Sequence, residues 1–130
     1  MGVEAYPVNA SEVLAMNYVD ELNASHQQVI FEQMHEGKWD EQFELASHFI
    51  LTKRKQFFDE IDDFQQFDLI YFDAFGYDVQ PELWSTSIFE KMFNALKPKG
   101  VLVTYAARSV IKRSMMEVGF TVEKLEGAPG

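Results

Sequence analysis

The chain has 130 residues, 47% of them hydrophobic and 15% aromatic, which is enough apolar surface for the core of one domain and excludes an intrinsically disordered chain. Cysteine is absent, which excludes a disulfide framework and any thiolate metal site and agrees with a reducing compartment. Eleven basic residues stand against 21 acidic ones, a net charge of −10, and such a surface repels phosphate backbones unless its few cations are gathered in one place.

In chain order, Val3 to Val8 reads as a short strand that Pro7 must end or place at an edge, because proline cannot donate to a ladder. Asn9 with Glu12 has the reciprocal capping-box spacing, and Leu14, Tyr18 and Leu22 follow at helical intervals. Ser25 with Gln28 repeats the device, and Val29, Ile30 and Met34 form an apolar face before Gly37. Phe43 to Thr52 alternates as one strand, followed by a turn through Phe57, Phe58 and Ile61. Phe67 to Asp73 is nearly continuous apolar sequence, as for a central parallel strand covered on both faces.

Beyond the loop Ala74 to Gln80, Ser85 or Thr86 is expected to cap a helix carrying Ile88, Phe89, Met92, Phe93 and Leu96, which Lys97-Pro98-Lys99-Gly100 stops. Val101 to Tyr105 reads as a buried strand. Ser109 is placed to cap a helix over Val110 to Val118, Gly119 to end it, and Phe120 to Leu125 to form a last strand. The alternation implies an α/β fold, a mainly parallel Rossmann-like sheet with helices on both faces, in one domain over residues 1–130. No run of apolar residues approaches a membrane span and no basic-then-apolar leader opens the chain, so the expected setting is the cytoplasm.

Ligands of doubly wound sheets bind outside the carboxyl ends of the strands, which makes Glu4 and Asp73 the first candidates. Glu4 is either a solvated strand-end acid or an acceptor for ribose hydroxyls. Asp73 abuts a buried strand and requires a partner or a ligand. Phe75, Tyr77 and Trp84 make the following loop aromatic, suited either to stacking on a flat base or to covering the edge of the sheet. Arg108, Lys112 and Arg113 follow the strand ending at Tyr105, as phosphate contacts or as a solvated helix face. His26, His35 and His48 lack metal-ligand spacing, so no metal is expected. Neither a Gly-x-Gly-x-x-Gly loop nor a nucleophile elbow is present.

The runs Asp68-Leu69-Ile70-Tyr71-Phe72-Asp73-Ala74-Phe75 and Gln80-Pro81-Glu82-Leu83-Trp84 resemble the tRNA aminomethyl-2-thiouridine methyltransferases, the MnmC-type domain. So do, in order, Ile88-Phe89-Glu90-Lys91, Leu96 to Tyr105, Val118 to Glu123 and Gly127-Ala128-Pro129-Gly130, while Glu4-Ala5-Tyr6-Pro7 resembles the family's second strand. The resemblance implies S-adenosylmethionine as cofactor and methylation of the exocyclic amine of 5-aminomethyl-2-thiouridine at the tRNA wobble position. It further implies that Glu4 holds the cofactor ribose, that Asp73 orients or deprotonates the attacking amine, and that Phe75, Pro81 and Trp84 shape the uridine pocket. Arg108, Lys112 and Arg113 fall where phosphate contacts are implied. Some members carry a fused flavin-dependent oxidase, and nothing in this sequence resembles it.

The family's first strand, its glycine-rich turn and its last strand are expected to be lacking here, and with the turn the backbone amides facing the cofactor's carboxylate end. Lys53-Arg54-Lys55-Gln56-Phe57 stands where the acid near the adenine is found, leaving Asp59 as its substitute. A small-amine methyltransferase, or a non-catalytic module pairing through exposed sheet edges, are the alternatives.

Overall fold

The computed structural model describes residues 1–126, so the tetrapeptide from Gly127 to Gly130 lies outside the described residues. The chain divides into two compact units, Met1–Phe57 and Phe58–Gly130.

In the first unit, β1 (Gly2–Val3) pairs in parallel with β3 (Phe49–Arg54), and β2 (Gln42–Ala46) pairs antiparallel on the other side of β3. The strand expected over Val3 to Val8 is therefore shorter. Glu4 N–H still donates to the Arg54 carbonyl at 3.0 Å, but Tyr6 N–H turns back onto Glu4 Oε1 at 2.8 Å, and Pro7 comes next. The single strand expected over Phe43 to Thr52 is corrected to the hairpin β2–β3, bent at Ser47-His48.

Asn9 caps α1 (Ala10–Ala15) as its spacing predicts: Oδ1 accepts from Ser11 N–H at 2.9 Å and Glu12 N–H at 3.1 Å, and Glu12 Oε2 accepts from Asn9 N–H at 2.7 Å. Met16 then turns extended (φ −76°, ψ 130°) and separates α1 from α2 (Tyr18–Glu21). Leu14, Tyr18 and Leu22 consequently share no helical face and are exposed, while Val19 is the buried residue. Ser25–Gln27 forms a 3₁₀ turn leading into α3 (Gln28–Glu36), so Ser25 gives no side-chain cap to Gln28. Gly37 does end α3, and a side chain there would run into the Phe43 ring.

At that helix end Lys53 Nζ donates to the His35 carbonyl at 2.8 Å, satisfying one of the last orphan carbonyls, and lies 4.9 Å from the Trp39 ring centroid. The His35 ring packs on Phe31 at 4.6 Å. A helix C-terminus favours a histidinium. Burial, and then the Lys53 charge, oppose it and hold His35 below its ordinary value of 6.5; burial likewise lowers Lys53. The unfolded chain therefore takes up the His35 proton first as pH falls. This contribution to stability is complete above pH 6.5 and is lost as pH falls through the lowered folded value. Between pH 7 and pH 5, roughly the span of a histidine titration, the urea midpoint is expected to fall more steeply for the wild type than for His35→Gln. Parallel pH dependences would contradict this assignment.

In the second unit, β4 (Phe67–Tyr71) and β5 (Leu96–Val103) pair in parallel, with a 3₁₀ turn (Pro81–Trp84) and α4 (Thr86–Ala95) between them, and α5 (Ser109–Glu117) after β5. This is a mixed α/β fold with parallel strand pairs, the fold class the alternating pattern implies. Strand β5 begins at Leu96, earlier than expected, because Leu96 pairs with Phe67 and the chain then loops out before Val101 meets Leu69. Lys99 takes φ 71° inside that bulge. The described part of 120–126 forms no strand, correcting the expected Phe120 to Leu125: these residues have no neighbouring ladder among the described residues. Instead α5 ends in a Schellman turn. Gly119 (φ 112°) donates to Met116 O and Phe120 to Met115 O, each at 3.2 Å, and Phe120 packs edge-on against Phe93 at 5.0 Å.

Helix α4 buries Ile88, Phe89, Met92 and Ala95, and α5 buries Ile111 and Met115. Phe72 is the hub, 5.4 Å from Phe58, 5.3 Å from Trp84 and 5.5 Å from Phe89. Coverage of β4 on both faces is not observed: Tyr71 is 77% exposed, and Val101 on the neighbouring strand is 53% exposed.

Candidate functional site

Because β4 and β5 are parallel, both end at the same rim, and the segments leaving the two strands face each other there. Phe72 N–H continues the ladder onto Val103 O at 2.8 Å. Phe72 and Ala74 are buried, and the alternation of an extended chain turns Asp73 between them outward. Its exposed carboxylate makes no hydrogen bond or ion pair among the described residues. A carboxylate free of protein partners on a fixed backbone can accept a proton or hold a cationic amine.

The loop behind Asp73 is tied down at successive points. Tyr105, just past β5, donates its hydroxyl to the Ala74 carbonyl at 2.7 Å. Trp84 donates Nε1–H to the Phe75 carbonyl at 2.8 Å. Val79 and Gln80 N–H share the Gly76 carbonyl at 2.8 and 3.1 Å. Arg108, the residue preceding α5, grips both carboxylate oxygens of Asp78, with Nη1 at 2.8 Å from Oδ1, and its guanidinium lies 5.5 Å from the Tyr77 ring.

The alternatives left open for the loop aromatics therefore divide. Trp84 is only 1% exposed and packs on Phe72, Phe89 and Tyr105, so it acts on the rim through the loop it holds. Phe75 is 69% exposed beside Asp73, its ring free to stack. Pro81 opens the 3₁₀ turn that delivers Trp84 to the core. Arg108 has a carboxylate partner and stands outside the helix, whereas Lys112 and Arg113 are exposed on α5 and form no ion pair among the described residues.

Glu4 is exposed immediately after β1. One carboxylate oxygen accepts Tyr6 N–H and the other makes no bond among the described residues, which suits a ribose hydroxyl. Asp59 is exposed in the 3₁₀ turn Phe58–Glu60. Glu4 belongs to the first unit; Asp59, Asp73 and the tethered loop belong to the second. Among the described residues no three His, Asp or Glu side chains group as a metal site, and no helix is long and apolar enough to cross a membrane.

Sequence reasoning missed Tyr105 and Asp78. Their partners lie 31 and 30 positions away, and the one available signal was a polar-tipped aromatic closing an apolar strand.

Comparison with known proteins finds a family model described as S-adenosyl-L-methionine-dependent methyltransferase, matched by residues 17–130. The chain is also similar to the tRNA 5-methylaminomethyl-2-thiouridine biosynthesis bifunctional protein MnmC of Actinobacillus pleuropneumoniae serotype 5b (strain L20) and of serotype 3 (strain JL03). Each is 33% identical over 60 residues, 46% of this chain and 9% of the relative. The chain thus spans a small part of the curated relatives it matches.

Proposed function

We propose that this chain, which belongs to the S-adenosyl-L-methionine-dependent methyltransferase family, serves methylation of the exocyclic amine of 5-aminomethyl-2-thiouridine at the tRNA wobble position, in the cytoplasm. The observation that carries this reading is the outward Asp73 carboxylate, unpaired among the described residues, on a tethered loop at the strand ends beside the exposed Phe75 ring.

S-adenosylmethionine, when bound, supplies a methyl group activated by its sulfonium. An alkylamine is mostly an ammonium at neutral pH, without a lone pair to attack. Asp73 orients that ammonium and accepts or relays its proton. Phe75 stacks on the uracil ring, and Pro81 and Trp84 fix the loop that presents it. The family resemblance assigns the ribose hydroxyls to Glu4 and the adenine side to Asp59. Lys112 and Arg113 meet phosphates; Arg108 contributes by holding Asp78. The family match over residues 17–130 crosses the boundary between the two units, which supports assigning both to one domain.

The test is methyl transfer from labelled S-adenosylmethionine to tRNA carrying 5-aminomethyl-2-thiouridine, to tRNA lacking it, and to small alkylamines. Transfer confined to the modified tRNA is the expected result. Equal transfer to free amines would favour a small-amine enzyme, which the net charge of −10 suits better. A second reading, a non-catalytic module that self-associates through its sheet, is favoured by the exposed Tyr71 and Val101 on the β4–β5 pair. That module would bind no cofactor.

A further inference from the structure

We propose that Tyr105 is a positioning residue for Asp73, an inference that rests on the catalytic reading of Asp73 given above. Strand β4 fixes the backbone only as far as Phe72, whose N–H makes the last ladder bond onto Val103 O. Beyond Asp73 the loop has no ladder bond among the described residues, and the carbonyls of the two residues that follow it are each held by a side chain. Ala74 O accepts from the Tyr105 hydroxyl at 2.7 Å, and Phe75 O from Trp84 Nε1–H at 2.8 Å.

The two tethers differ in kind. Trp84 is buried and is needed for the core. Tyr105 is 61% exposed, with its ring edge-on to Trp84 at 5.9 Å, so its hydroxyl serves the rim and not the packing. It also spans the gap between the strand ends: a residue just past β5 holds the residue next to Asp73. Released at Ala74, the chain keeps the Phe72 ladder bond upstream and its Trp84 and Arg108–Asp78 anchors further on, but Asp73 loses its nearest downstream restraint. A small misplacement of a proton acceptor lowers the rate of the chemical step while leaving ligand affinity intact.

Tyr105→Phe removes one hydroxyl and keeps the ring. One lost hydrogen bond corresponds to roughly a five-fold change in a local opening equilibrium. Amide exchange across 74–80, measured on the full chain, is therefore expected to rise about five-fold in Tyr105→Phe, with exchange in α4 and α5 unchanged. In parallel, kcat for methyl transfer is expected to fall roughly ten-fold or more with the KM for S-adenosylmethionine unchanged. Unchanged loop exchange would overturn the proposal whatever the activity. Faster exchange with wild-type kcat, where Asp73→Asn is inactive, would overturn positioning while leaving the role of Asp73 standing. Wild-type transfer by Asp73→Asn would overturn the underlying reading, and positioning toward Asp73 with it. No transfer by the wild-type chain would likewise overturn that reading, leaving the exchange result to decide whether Tyr105 holds the loop.

Discussion

Trp84→Ala is expected to lower stability by about 3–5 kcal/mol, the range for truncating a large buried aromatic, and so to remove much of a domain's usual 5–15 kcal/mol. Trp84 and Phe89 are among the few side chains with almost no exposure, and Trp84 touches Phe72, Phe89 and Tyr105 at once. The cavity left by alanine sits where the 3₁₀ turn Pro81–Trp84 joins the strand-end loop, and it also frees the Phe75 carbonyl. Trp84→Phe separates the two effects. Most of the packing remains, and the lost Nε1–H bond costs about 1 kcal/mol, since water can reach the exposed loop. Urea unfolding followed by far-UV circular dichroism measures both variants. A Trp84→Ala midpoint close to wild type would mean that the aromatic hub around Phe72 is not what holds the second unit together.

Asp73→Asn is expected to leave the fold and the affinity for S-adenosylmethionine unchanged and to lower methyl transfer by roughly 10²–10⁴-fold, the range for removing a positioned acid–base group. Asparagine has nearly the same shape and cannot take a proton. The wild-type carboxylate is exposed and unbonded among the described residues, so no packing or ion pair is lost with it. That separation is what makes the variant informative: a drop in rate without a drop in stability assigns chemistry to Asp73. Wild-type transfer by the variant would remove Asp73 from the mechanism.

What could be read from the sequence was local. The Asn9–Glu12 box, the stops at Gly37 and Gly119 and the strand in the apolar run from Phe67 each depend on neighbours a few positions away, and each is realised; the covering of that strand on both faces, which depends on distant elements, is not. The hairpin β2–β3 was hidden because Ser47-His48 carries no glycine or asparagine to mark a turn inside an alternating run. Leu14, Tyr18 and Leu22 misled because their spacing means one face only while the helix is continuous, and Met16 breaks it. Phe120 to Leu125 has strand-forming residues but no partner strand among the described residues, and propensity without pairing makes no ladder.

The same division holds at the site. Asp73 was legible because an acid closing a nearly continuous apolar run is conspicuous. The tethers Tyr105–Ala74 and Arg108–Asp78 were not, because each joins residues about thirty positions apart, and nothing in their spacing announces the contact. The choice between stacking and covering for Phe75 and Trp84 needed burial, which composition does not carry.

Calorimetric titration of S-adenosylmethionine into this chain decides whether it can be a methyltransferase at all, because every catalytic step proposed for it presupposes that cofactor. Saturable binding, at least about ten-fold weaker in Glu4→Ala for the loss of a charge-assisted hydrogen bond, is the predicted result. Absence of binding by the wild-type chain would contradict it and leave the non-catalytic, self-associating module as the reading that stands.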